Sequence, residues 1–141
     1  MTGLSFGWQS VEHPGDASQH RRAMPGKDGI SVNKRMVGSV AVLTLAGELD
    51  AHSAPATQVM LSRAMPGQTP VLLDLSEIRY ISSAGLRTLL LAYRRAQRFG
   101  TPIALVGVSE TLRGVLSATG FLRFFQVAES IPDGVAALDD R

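Results

Sequence analysis

The sequence predicts an α/β domain built on a mixed, mainly parallel sheet, and three observations carry that prediction. Short β-rich runs alternate with segments of helical period from Ile30 to Leu138. Two of these runs, Val71-Leu72-Leu73-Asp74-Leu75 and Ile103-Ala104-Leu105-Val106, read as strands covered on both faces, which is the habit of parallel sheets flanked by helices. The first two runs, by contrast, are separated only by a polar Gly38-Ser39 turn, which makes a hairpin and places one antiparallel strand at the N-terminal edge. Strands joined through helices require right-handed crossovers, so the rest of the sheet is parallel.

Each element follows from local signals. Residues 1–29 contain Pro14, Pro25, several glycines and no sustained period, and they read as a flexible N-terminal extension; the domain is then 30–141. In that extension Arg21, Arg22 and Lys27 balance Glu12, Asp16 and Asp28, so it is no basic arm. Residues 30–33 and 40–45 form the hairpin. Gly47-Glu48-Leu49-Asp50 reads as a sharp turn off the second strand, after which Ser53 caps a helix with Pro55 in its first turn, running to about Met65 before Pro66-Gly67. A short strand at 71–75 and a loop lead to a helix from 84 to about 99, ended by Gly100 and Pro102. Leu86, Leu89, Leu90, Tyr93 and Ala96 fall on one face of it. After the strand 103–106, Ser109 caps a third helix that buries Leu112, Val115 and Leu116 and stops at a left-handed Gly120. A last strand at 124–127 and a last helix at 132–138 complete the order.

Composition narrows the function. The chain has 141 residues, 45% of them apolar and 18% charged, with a formal charge of +2, which suits one soluble core and carries no nucleic-acid footprint. The chain contains no cysteine, which excludes disulfides, thiolate metal sites and Cys nucleophiles. His13, His20 and His52 lack metal-ligand spacing, so neither a metal nor another cofactor is expected. There is no apolar run suited to a secretory leader or a membrane span, so the expected location is cytoplasmic.

The informative junction is Tyr80-Ile81-Ser82-Ser83-Ala84-Gly85-Leu86-Arg87, where a strand, a loop and a helix start meet. Read structurally, Ser83 caps the helix by accepting a backbone N–H bond. Read functionally, a hydroxyl at the positive end of a helix dipole can become a phosphate, gaining about −1.5 to −2 charges without unfolding the domain. The same helix carries Arg87, Arg94, Arg95 and Arg98 and no acidic residue, with Leu91 among them, which suggests a docking face for an acidic partner as well as a solvated surface. Because loops at C-terminal strand ends of a parallel sheet share one edge, Glu48 and Asp50 should lie near Ser82 and Ser83. A Ser83, His52, Asp50 triad can be written on paper, but no Gly-x-Ser-x-Gly elbow supports a hydrolase and no Gly-rich phosphate loop supports nucleotide binding. The expected protein is not an enzyme.

Gly47-Glu48-Leu49-Asp50-Ala51-His52-Ser53-Ala54-Pro55 and Tyr80-Ile81-Ser82-Ser83-Ala84-Gly85-Leu86-Arg87, in this order and separated by one helix and one buried strand, together resemble bacterial anti-anti-sigma factors of the STAS domain family. The resemblance covers about residues 30–138. It implies a mixed sheet with an antiparallel N-terminal edge strand and helices wound as a β-α superhelix. It implies a module that, unphosphorylated, captures an anti-sigma factor and so releases a sigma factor; that partner is a serine kinase of histidine-kinase-like ATPase fold, opposed by a PP2C-type phosphatase. Matched residue by residue, the phosphoacceptor is Ser83, with Ser82 as the fallback because it replaces the Asp that often precedes the acceptor. Glu48, Asp50, Arg87, Leu91, Arg94 and Arg98 join the two serines as the expected partner-binding residues, with no role for nucleic acid or membrane. The alternative is an unphosphorylated STAS interaction module in a signalling or transport assembly.

Overall fold

Gly38, at φ +61°, turns the chain between β2 (Ile30–Val37) and β3 (Val40–Leu49), which pair antiparallel from Ile30 opposite Gly47 to Val37 opposite Val40. In the computed structural model the described residues are 22–24, 29–65 and 67–139. Most of the expected extension lies outside them. Its described piece, β1 (Arg22–Met24), pairs antiparallel with β2 and adds a sixth strand to the five that the sequence suggests. The remaining strands are β4 (Val71–Ile81), β5 (Ile103–Val106) and β6 (Gln126–Ala128), parallel to one another and to β3. Their order in the sheet is that of the sequence.

A sequential order has a geometric consequence. Every right-handed crossover then steps the same way, so α1 (Ala54–Ala64), α2 (Ser83–Phe99) and α3 (Glu110–Ala118) cover one face, and α4 (Ile131–Asp139) returns over the other. The three-helix face gathers Leu43, Leu73 and Leu105 of the central strands against Leu61, Leu89 and Leu116 of the helices. The opposite face is smaller. There Val42, Leu72, Ala104 and Val106 meet Leu138, with Ile131 and Val135 packed alongside. Two covers explain why the central strands are apolar on both sides.

Besides the added β1 and a β2 that runs four residues past Asn33, three elements differ from the sequence expectation. The strand expected to stop at Leu75 continues to Ile81. Beyond Asp74 it has β3 alone as a neighbour, its side chains are largely exposed, and it therefore lacks the unbroken apolar run that marks its first half. Gly47 is not part of a sharp turn but lies within β3 at φ +121°, where a Cβ would collide with the Gly29 carbonyl; the Glu48 amide donates to that same carbonyl at 3.0 Å. The chain turns only after Leu49. Finally, Phe124 ends a 3₁₀ turn (Leu122–Phe124) rather than opening a strand, because Phe124 and Phe125 both pack on the Tyr93 ring, at 5.7 and 5.5 Å between centroids.

Candidate functional site

Strands β3 and β4 end side by side, with Leu49 opposite Ile81. The Ser82 amide donates to the Leu49 carbonyl at 2.9 Å, and the same carbonyl presses so closely on Gly85 that a Cβ there would collide with it. Glycine is thus required inside the first turn of α2. These contacts place the start of α2 against the loop that follows β3.

Ser82, not Ser83, is the cap of α2. Its backbone is extended (φ −102°, ψ 179°), and its Oγ accepts from the Gly85 amide at 3.3 Å. A capping side chain must precede the first helical residue, and here the helix begins at Ser83 itself. Ser83 is left exposed, and its hydroxyl is engaged in no hydrogen bond to the described residues. By position, the amides of Ser83 and Ala84 have no intrahelical acceptor.

The neighbouring loop is knitted by Asp50. Its Oδ1 accepts from the amides of His52 and Ser53, both at 3.0 Å, while its own amide donates to Ser53 Oγ at 3.0 Å. The Ser53 hydroxyl donates in turn to the Glu48 carbonyl at 2.7 Å. Ser53 therefore occupies the cap position of α1 without capping it through its side chain, which corrects the sequence reading. The Ser53 amide, with help from that of His52, holds the Asp50 carboxyl below its ordinary range. Asp50 is committed to the turn. Glu48 is the exposed carboxylate of the pair.

Along α2, Ser83, Arg87, Arg94 and Arg98 are all exposed, and their spacing puts them on one outward stripe. Arg87 stands one turn after Ser83. Leu91 departs from the expected outward position: it is half-buried and, with Arg95, lines a groove of about 150 Å³ between α1 and α2, beside Leu61 and Met65. The buried Arg95 Nε makes no hydrogen bond among the described residues, and the Arg95 and Arg98 guanidinium groups lie 5.0 and 5.7 Å from the Phe99 ring. The aromatic partner of these arginines is clear only in three dimensions. The paper triad gains nothing from this geometry, since Asp50 Oδ1 is occupied by turn amides. Among the described residues no group of acidic and His side chains could hold a metal ion, and no helix is long and apolar enough to cross a membrane.

One feature of this edge escapes a reading of motifs. The second half of β4 brings Ile78, Arg79 and the exposed Tyr80 beside α3, immediately before the two serines. The β-rich composition of Ile78-Arg79-Tyr80-Ile81 is the signal that a strand continues there.

Comparison with known proteins agrees with this architecture. The BtrV protein of Bordetella bronchiseptica, which carries the name of an anti-sigma factor antagonist, is 30% identical over 102 residues, covering 72% of this chain and 88% of BtrV. An anti-sigma factor antagonist from Mycobacterium paratuberculosis superposes with a TM-score of 0.72 at 24% identity, covering 81% of this chain and 97% of that one. The anti-sigma factor antagonist SpoIIAA of Bacillus, solved in its unphosphorylated form, superposes with a TM-score of 0.64 at 20% identity, covering 78% and 97%. At these identities the two structures speak for the fold. The model of the STAS domain matches residues 31–134, and with that match and the BtrV relationship, the chain belongs to the STAS domain family.

Proposed function

We infer that the chain is an anti-sigma factor antagonist which, in its unphosphorylated form, binds an anti-sigma factor serine kinase and frees a sigma factor, and which phosphorylation of Ser83 switches off. The observation that carries this reading is the exposed Ser83 hydroxyl, which makes no hydrogen bond among the described residues, at the first position of α2. Its neighbour Ser82 is a poorer acceptor because its Oγ already serves the Gly85 amide. The relationship to BtrV supports the regulatory role. The partner kinase has a histidine-kinase-like ATPase fold in this reading, a PP2C-type phosphatase reverses the mark, and the circuit is cytoplasmic. The functional domain is 30–141, and the preceding 1–29 lends β1 (Arg22–Met24) to its sheet.

The switch is electrostatic. Phosphate adds about −1.5 to −2 charges at neutral pH, just beyond the end of the ladder in which the exposed Glu48 lies opposite Tyr80, and within one helical turn of Arg87. That spacing draws the Arg87 guanidinium onto the phosphate, so the modification both installs a repelling charge and withdraws a cation from the docking stripe. The fold survives, because the first-turn amides and the helix dipole favour an anion at this point.

Binding of the cognate kinase, measured by calorimetry, checks the mechanism. Ser83→Glu should weaken it by about 100-fold or more, or roughly 2.7 kcal/mol, while Ser83→Ala binds as the wild type does. With ATP and magnesium, mass spectrometry should find one phosphate on Ser83 of the wild type and none on Ser83→Ala. Equal affinity of the two variants removes the reading.

A further inference from the structure

Beyond Asp74 the fourth strand loses a neighbour. The β4–β5 ladder ends with Asp74 opposite Val106, whereas β4 runs on to Ile81 paired with β3 alone. On this side a cleft of about 430 Å³ separates β4 from α3. Leu75, Ile78, Leu112 and Val115 give it an apolar floor, and among the described residues Arg79 is the one charged side chain of its lining. Tyr80, 56% exposed, stands at its rim. The N-terminus of α3 opens onto it at Ser109, whose hydroxyl is already used by the Leu112 amide at 3.0 Å, so the positive end of that helix dipole adds to Arg79. Glu77 and Glu110 are exposed, and neither belongs to the lining.

A strand edge beside an apolar floor binds extended chain, because main-chain hydrogen bonds complete the ladder while alternate side chains enter the cleft. A helix satisfies its own backbone and would leave that edge wet. We propose that this cleft receives an extended acidic segment of a partner protein, added as a strand to the open edge of β4. Apolar side chains of the segment rest on Ile78 and Val115, and a carboxylate reaches Arg79. The seat is continuous with Ser82 and Ser83, which follow Ile81 directly, so an added strand ends beside the start of α2. The surface does not depend on phosphorylation of Ser83.

The test uses the full chain, isotopically labelled, and a capped hexapeptide of alternating valine and glutamate. Saturable binding should slow hydrogen exchange of the outward-facing amides in 77–81, since that of Ser76 already donates to Asp74 Oδ1 at 3.0 Å, and the affinity should fall about tenfold or more for a valine–lysine peptide. It should fall as far for a valine–glutamate peptide N-methylated at every residue, which cannot donate to a ladder. Arg79→Glu, a change at an exposed position, should reverse the preference between the acidic and basic peptides while leaving the unfolding midpoint unchanged. Failure of the acidic peptide to bind, retention of affinity on N-methylation, or protection at another sheet edge would overturn the proposal. Because none of these readouts involves the kinase or Ser83, they fail independently of the proposed switch.

Discussion

Asp50 shows how one side chain can look functional in sequence and prove to be architectural. Its carboxylate accepts from two consecutive turn amides, and the loop that flanks Ser82 depends on them. Because those bonds favour the ionised form, the folded-state pKa is depressed, so the stabilisation is complete above the ordinary value of about 3.8 and is lost as pH falls through the lower folded value. The wild type should therefore be more resistant to urea than Asp50→Asn at neutral pH, and the difference should shrink as pH is lowered from about 5 to about 3. A difference that grows on acidification would mean that the carboxylate does not act through these amides. Ser82 and Ser83 divide their labour by the same logic of hydrogen bonding: one oxygen is used to start a helix, and the adjacent one is left for chemistry.

At the scale of elements, the junction of β3, β4 and α2 turns on close approach. The register shifts between Thr44 and Ala46 and between Gly47 and Glu48 let β4 advance two residues further than β3 over the same ladder, and they bring Leu49 opposite Ile81. Gly85 then allows α2 to sit directly on the Leu49 carbonyl. Gly85→Ala should destabilise the domain by about 1–3 kcal/mol in chemical denaturation, as overpacking does, and shift the amide resonances of residues 49 and 82–86 more than those of α4. An unchanged midpoint would show that the helix start is not clamped there. The two strand halves also explain what could be read in advance. Residues 71–75 announce themselves because helices cover both faces, whereas 76–81 mix Ser76, Glu77 and Arg79 with Ile78, Tyr80 and Ile81 because only one neighbouring strand and partial cover remain.

Across the whole molecule, the sequential strand order assigns three helices to one face and leaves the other to α4. Gly134 brings that last helix so close to Leu72 that a Cβ would touch both of its methyl groups, at 2.7 and 2.8 Å. Leu138, 1% exposed, is the main apolar plug of this thin layer. Leu138→Ala should cost about 2–5 kcal/mol in urea denaturation. A loss below about 0.5 kcal/mol would mean that α4 contributes little to the fold. Since this layer lies across the sheet from α2, affinity of the folded variant for the partner kinase should be unaltered.

Local chemistry along the chain sets the alternation of strands and helices, the hairpin at Gly38-Ser39, the caps and stops at Ser109, Gly100 and Gly120, and the serine pair at the start of the second helix. All of these are set by spacing and local backbone chemistry within a few residues. Only in three dimensions is it settled which serine caps and which stands free, that Leu91 leaves the outward face of the arginines for a groove, and that β4 outruns β5 to leave an open edge. Those outcomes depend on the parallel ladder between β3 and β4, whose partners lie some thirty residues apart in the chain, as Thr44 and Asp74 do. No local pattern encodes the register of such a pairing, and the register is what positions the site.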